Sequence, residues 1–262
     1  MSSNSPRTVA VGDFNQDNQA DAVVANYGDG NVIVFLGYGD GSFVSGASYA
    51  AGSCLVRVAV GDFNEDNRLD IVPLNYSNGT VSVLLGFGNG KFSSPNNFSV
   101  GNYPYTVATG NFNQDGMLDL ATANCGGDGV SILLGYGNDQ FASQMSITSL
   151  NGPYSVVVAD FSQDSLLDLV VTTLADSSII VLLGQGNGSF VKNSIVIPHY
   201  YANAISVLVG SGNGTVGRLV SLTSGYTPTI AIVGGINLDN RIDFAVANYG
   251  SPTVGIYLNT CA

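Results

Sequence analysis

Val11-Gly12-Asp13-Phe14-Asn15, continuing as Gln16-Asp17-Asn18-Gln19-Ala20-Asp21, decides the fold because it comes back. It returns as Val60-Gly61-Asp62-Phe63-Asn64, as Thr109-Gly110-Asn111-Phe112-Asn113 and as Val158-Ala159-Asp160-Phe161-Ser162. The third residue of the motif stands at 13, 62, 111 and 160, a spacing of 49 each time. A second anchor keeps the same period: Leu36-Gly37-Tyr38-Gly39, Leu85-Gly86-Phe87-Gly88, Leu134-Gly135-Tyr136-Gly137 and Leu183-Gly184-Gln185-Gly186. A fixed period of this length marks a repeat architecture. The next Asn-x-Asp run, Asn237-Leu238-Asp239, falls off the period, and Val209-Gly210-Ser211-Gly212-Asn213-Gly214 looks like another second anchor. The simplest arrangement is six units over about 8–56, 57–105, 106–154, 155–203, a reduced 204–228 that has lost about two strands, and 229–262.

Each unit holds short apolar, β-branched runs; in the first they are Thr8–Val11, Ala22–Ala25, Val32–Leu36 and Phe43–Tyr49. Gly, Asn and Asp bound them, so the runs are strands and the punctuation is turns. No helical period of useful length appears. Four strands in about 49 residues is the size of a propeller blade. One blade cannot bury both its faces, whereas neighbours stacked face to face can, and that accounts for runs that are apolar rather than alternating. The fold class expected is all-β, a single β-propeller domain over 1–262 with six units, the fifth reduced; five or seven blades are the alternatives.

Composition narrows the function. With 19 acids against 7 bases the net charge is −12, which leaves no basic stripe for nucleic acid and little attraction to anionic membranes. No apolar run is long enough to span a bilayer as a helix. The opening residues Met1-Ser2-Ser3-Asn4-Ser5-Pro6 lack the basic and apolar stretches of a leader. One histidine, His199, excludes a multi-His zinc site, and Cys54, Cys125 and Cys261 are too few for a disulfide scaffold. No Gly-x-Ser-x-Gly elbow accompanies His199, and no Lys-Ser/Thr follows the Gly-rich anchors, so neither a hydrolase triad nor a nucleotide loop is indicated. The expectation is a protein that is not an enzyme.

Of the 19 acids, Glu65 alone is glutamate, and 13 of the aspartates fall in the repeated loops. Counting the third residue of the motif as position 1, oxygen side chains recur at positions 1, 3, 5 and 9. They are Asp13, Asn15, Asp17 and Asp21; Asp62, Asn64, Asp66 and Asp70; Asn111, Asn113, Asp115 and Asp119; and Asp160, Ser162, Asp164 and Asp168. The last unit offers Asn237, Asp239 and Asp243. Position 7 varies freely (Gln19, Arg68, Met117, Leu166, Arg241), as a backbone carbonyl ligand would allow. An oxygen-only donor set at this spacing suits a hard cation, and Ca2+ tolerates an irregular cage better than Mg2+. The expected cofactor is structural Ca2+, about three to five per chain. Neither a Glu at position 12 nor a regular Gly at position 6 is present, so the loop is not an EF-hand.

The run Val-Gly-Asp-Phe-Asn-x-Asp-x-x-x-Asp, followed by Leu-Gly-x-Gly-x-Gly-x-Phe, resembles the FG-GAP (or VCBS) repeat over about residues 8–259. That repeat builds the propeller head of integrin α subunits and a calcium-containing mushroom lectin. The resemblance implies that each Asp-rich loop joins the first two strands of a blade and binds Ca2+. It departs from those seven-bladed propellers in its reduced fifth unit. On the opposite face the second-to-third strand turns and the inter-blade links carry Asn26, Tyr27, Asn75, Tyr76, Tyr105, Asn124, Tyr154, Tyr201, Asn248 and Tyr249. Tyrosine offers an apolar ring with a polar tip, and this face is the candidate site for a protein or glycan ligand. The function expected is an extracellular binding or adhesion module; the alternatives are a carbohydrate-binding lectin and a part of a larger secreted hydrolase. Millimolar extracellular Ca2+ would fill sites of modest affinity that cytosolic Ca2+ would not.

Overall fold

The computed structural model describes residues 5–196 except 128 and 176–178, and beyond them the strands at 198–199, 204–210, 216–223, 228–234, 243–248 and 253–257. Among the described residues every regular element is a strand. The first sheet is β1 (Pro6–Gly12), β2 (Asp21–Asn26), β3 (Asn31–Gly37) and β4 (Phe43–Ala50). The second is β5 (Leu55–Gly61), β6 (Asp70–Asn75), β7 (Thr80–Val83) and β8 (Asn96–Ser99). The third is β9 (Pro104–Gly110), β10 (Asp119–Asn124), β11 (Gly129–Leu133) and β12 (Met145–Ile147). The fourth is β13 (Pro153–Ala159), β14 (Asp168–Thr173), β15 (Ile179–Gly184) and β16 (Phe190–Val196). All four are antiparallel meanders in sequence order. Two three-stranded sheets follow: β17 (Pro198–His199), β18 (Ala204–Gly210) and β19 (Val216–Thr223), then β20 (Pro228–Gly234), β21 (Asp243–Asn248) and β22 (Thr253–Tyr257). The first-unit strands extend each predicted run by a residue or two, because Asp21 and Asn26 also join the ladder.

The sheets stack face to face. The opening strands β1, β5, β9 and β13 lie side by side in succession, and one apolar core fills each gap. Val23, Val34 and Phe14 of the first sheet meet Leu55, Ile71 and Leu84 of the second. Val72, Leu74 and Val81 of the second meet Leu120 and Leu133 of the third. Ala121, Val130 and Ile132 of the third meet Val156, Leu169 and Leu182 of the fourth. Ile71 and Val72 are neighbours in β6 yet serve different cores, as the two-residue period of a strand requires. Both faces of β6 and β10 are therefore covered, and all six residues of each are buried. Each fully buried aliphatic side chain contributes about 1.5–3 kcal/mol. This is a β-propeller, with the first-to-second strand loops at one end of the sheets and the second-to-third strand turns at the other.

Candidate functional site

The four Asp-rich loops share one backbone. Positions 4 and 6 take positive φ in every case: Gln16 and Asn18 at 60° and 63°, Glu65 and Asn67 at 60° and 61°, Gln114 and Gly116 at 62° and 92°, Gln163 and Ser165 at 62° and 69°. Non-glycine residues enter this region rarely, and they stay there only when surrounding bonds hold them. Those bonds come from the conserved spacing itself. The amide of position 5 donates to Oδ1 of position 1 at 3.1–3.2 Å in all four loops. The amide of position 7 donates to Oδ1 of position 5 at 2.8–2.9 Å. Where position 1 is aspartate, its second oxygen accepts from the amide of position 6 at 2.8–2.9 Å. In the first three loops the Asn at position 3 also donates to Oδ2 of position 5.

Position 9 has a structural task that spacing alone does not reveal. Asp21, Asp70, Asp119 and Asp168 are fully buried. In the second unit Asp70 Oδ2 accepts from the Phe63 amide at 2.9 Å and Oδ1 from the Gly86 amide at 2.8 Å. Asp21 bridges Phe14 and Gly37, Asp119 bridges Phe112 and Gly135, and Asp168 bridges Phe161 and Gly184 in the same way. One carboxylate thus ties the first anchor of each unit to its second. A Cβ on Gly86 would lie 2.1 Å from the Leu69 carbonyl oxygen, so only glycine brings that strand close enough. Burial pushes the carboxyls of Asp70 and Asp119 up to about 6 against the pull of these amides, with Asp66 and Asp62 adding repulsion on Asp70 and Asp115 on Asp119. Asp168 is raised for the same reason.

The donor chemistry fits a hard cation. Each of these four loops offers four oxygen-bearing side chains, and a carboxylate oxygen that accepts one N–H keeps a further lone pair. In the fourth loop Ser162 Oγ, at position 3, is buried with no hydrogen-bond partner, an oxygen in want of a counterpart. Among the described residues no three His, Cys, Asp or Glu side chains converge as a cage on their own; a donor set would need the Asn and Ser oxygens as well. Asn237, Asp239 and Arg241 lie outside the described residues, and Asp243 opens β21.

At the opposite end the structure corrects one expectation. Asn26, Asn75 and Asn124 are buried beneath the second-to-third strand turns rather than presented to a ligand. Asn75 Nδ2 donates to Thr80 Oγ1 at 3.0 Å and Ser82 Oγ at 2.7 Å; Asn124 Nδ2 donates to Ser131 Oγ at 2.9 Å and Asn26 Nδ2 to Asn31 Oδ1 at 2.8 Å. They hold the turns, as short amides do. The tyrosines do come together. Tyr105 and Tyr154 stack with centroids 3.9 Å apart, and Tyr76 lies 5.1 Å from Tyr103 and 6.3 Å from Tyr105. Burial, then the hydrogen bond with Tyr105, lifts the Tyr154 phenol to about 12. Arg7, Tyr27, Val56, Tyr76 and Tyr105 line a cavity of about 210 Å3. Arg7 was not singled out from sequence, although the 49-residue period places it level with Val56, Tyr105 and Tyr154. Cys54 and Cys125 are free thiols beside this cluster. Tyr201 and Tyr249 lie outside the described residues, and Asn248 closes β21.

The FG-GAP-like repeat matches at residues 13–72, 62–122 and 111–171. No curated protein is matched at the level of sequence. Among solved structures, a Lactobacillus plantarum protein superposes with a TM-score of 0.66 at 16% identity, over 97% of this chain and 84% of that one. An Agrocybe aegerita lectin that recognises non-reducing terminal N-acetylglucosamine gives 0.59 at 15% identity, over 98% and 81%. BBS1N, in complex with ARL6DN, gives 0.61 at 11% identity, over 97% and 80%. At these identities the likeness is one of fold.

Proposed function

The chain belongs to the FG-GAP-like repeat family, and from that premise we propose a calcium-braced propeller that works outside the cell as a non-catalytic binding or adhesion module. The observation that carries the calcium reading is the fourfold recurrence of one loop, with side-chain oxygens at the same positions and left-handed backbone at the same two. Side chains at positions 1, 3, 5 and 9, with the carbonyl at position 7, would hold the ion. Bound there, Ca2+ supplies positive charge that offsets the crowding of three carboxylates in one loop. The loop residues themselves set the entry of the second strand of each blade, and through position 9 they hold its third strand.

Ligand binding is assigned to the other end, where the tyrosine rings gather. Solved structures of like fold include a lectin and a propeller in a protein complex, which supports a protein or glycan partner. The cavity beside Tyr76 and Tyr105 favours the glycan as the second, narrower reading.

The test is thermal unfolding in EGTA against excess Ca2+, with metal content measured on the same sample. Sites holding Ca2+ at 100 times their Kd would each add about 2.7 kcal/mol. A rise in midpoint with three to five ions bound per chain is expected; no shift and no bound metal would refute the calcium reading.

A further inference from the structure

The cavity at the tyrosine end is built from two repeat positions. Arg7, Val56 and Tyr105 are spaced by 49, and so are Tyr27 and Tyr76. Successive sheets therefore supply equivalent side chains to one opening, at the starts of β1, β5 and β9. The repeat placed an apolar or aromatic residue at three of the four levels of the first position (Val56, Tyr105, Tyr154) and a cation at the other.

That cation is distinctive in this chain, which has 7 bases against 19 acids. Arg7 is exposed. Its Nη2 donates to the Tyr105 hydroxyl, and its guanidinium carbon stands 5.7 Å from the centre of the Tyr105 ring. Both contacts orient the group without neutralising it. Arg68 pairs with Asp66 at the far end of the sheets, and no carboxylate among the described residues is within ion-pair distance of Arg7. Asp29, on the same turn as Tyr27, has a contact of its own and does not line the cavity. Arg57 adds a second positive charge on this side, since its field and that of Arg7 both act on Tyr154. A guanidinium with one N–H engaged keeps four donors, arranged as a fork that matches a carboxylate.

We infer that this cavity takes an acidic saccharide, one uronic-acid ring seated among Tyr27, Tyr76 and Tyr105 with its carboxylate on Arg7. The inference deepens the ligand reading proposed above and rests on it. Size favours a single ring: about 210 Å3 is below the roughly 300 Å3 at which pockets for drug-sized ligands begin. The wall chemistry favours a sugar over an acidic peptide. Tyrosine rings present apolar faces to the C–H side of a pyranose, and their hydroxyls meet its own. Val56, buried behind them, adds only an apolar floor.

The chain contains no tryptophan, so its emission comes from 13 tyrosines, three of which line the cavity. The experiment titrates the full calcium-loaded protein with a galacturonate oligosaccharide, its methyl ester and a neutral galactose oligosaccharide, and with an Asp/Glu peptide of equal charge. Emission and calorimetry are both recorded, and calcium content is measured on each sample. Preference for the free acid over the ester and the neutral sugar by at least tenfold is expected, weakening as salt rises. Arg7→Gln should remove that preference, with Arg7→Lys intermediate and the thermal midpoints of both variants unchanged. Equal binding of acid and ester, an unaltered preference in Arg7→Gln, or equal binding of the peptide overturns the inference. Calcium content separates it from the calcium reading: full loading without acid preference overturns the present inference alone. Tyr76→Ala separates it from the ligand reading: a neutral probe that binds and is lost in this variant keeps the tyrosine end as the binding face.

Discussion

Replacing Gly86 by alanine tests the latch that joins the two anchors of a unit. The added Cβ would stand 2.1 Å from the Leu69 carbonyl oxygen and 3.1 Å from its carbon. These are backbone atoms, so neither can turn aside. The strand must move outward, and Asp70 Oδ1 then loses the Gly86 amide now at 2.8 Å. Overpacking costs about 1–3 kcal/mol, and a hydrogen bond to a charged group is worth about 1.5–3 kcal/mol. The sum is about 2.5–6 kcal/mol. At about 2–4 °C per kcal/mol for a domain of this size, the midpoint should fall by at least ~5 °C. Gly41→Ala is the control, because nothing lies within 4 Å of its Cβ and only the positive φ of 88° is strained; that costs about 1–2 kcal/mol. Differential scanning calorimetry in EGTA and in excess Ca2+ reads both variants. The calcium-dependent increment should shrink in Gly86→Ala and stay whole in Gly41→Ala, since Asp70 belongs to the second loop. A Gly86→Ala protein melting within 2 °C of the parent would refute the close approach and the latch with it.

Acid should weaken calcium binding. Asp70 and Asp119 hold a proton below about pH 6 in the metal-free fold, and a metal needs them ionised. Because their folded pKa is raised, their contribution to the stability of the metal-free fold is fully present below the ordinary 3.8 and is lost as pH rises through 6. The calcium-induced gain in midpoint should therefore narrow from pH 7 to pH 5, and a gain that grows in acid would count against it. Ser162→Ala removes a buried oxygen that has no partner. In EGTA the midpoint should hold or rise slightly, whereas the calcium content should drop by one ion; a fall in EGTA would mean the hydroxyl has a structural bond. Phe112 is buried and meets Phe190 of the next sheet edge to face at 5.5 Å. Phe112→Ala should cost about 3–5 kcal/mol, with hydrogen exchange accelerated in β10 and β14 before β2.

The repeat was legible because its two anchors do different work on one schedule. Phe14, Phe63 and Phe112 fill the gaps between sheets, and Gly37, Gly86, Gly135 and Gly184 admit the third strand. Such demands fix a residue type at a fixed interval, so they show in a bare sequence. The latch at position 9 did not show, because a metal ligand and a backbone latch would both call for aspartate. Asn26, Asn75 and Asn124 misled for a related reason. An asparagine after a strand is polar whether it faces solvent or, as here, turns inward to donate to Ser131 or Thr80. Arg7 was passed over because it breaks its column of the repeat, and a search for sameness overlooks the residue that differs.

That contrast bears on where function sits in the fold. At the loop end the side chains are constrained twice over, by the latch and by the two left-handed residues, and the four units have hardly diverged. At the tyrosine end the turns are secured by buried asparagines and by backbone bonds such as Tyr27 N–H to Ser5 O, Tyr76 N–H to Cys54 O and Cys125 N–H to Tyr103 O. None of those bonds depends on the outward side chain. The column that runs Tyr27, Tyr76, Cys125, Leu174 and the column that runs Arg7, Val56, Tyr105, Tyr154 were free to differ between units. Four copies of one blade thus yield an uneven surface from an even scaffold. The asymmetric ligand proposed for this end would need that unevenness: one cation at one level, aromatic rings at the next two, and a floor of valine between them.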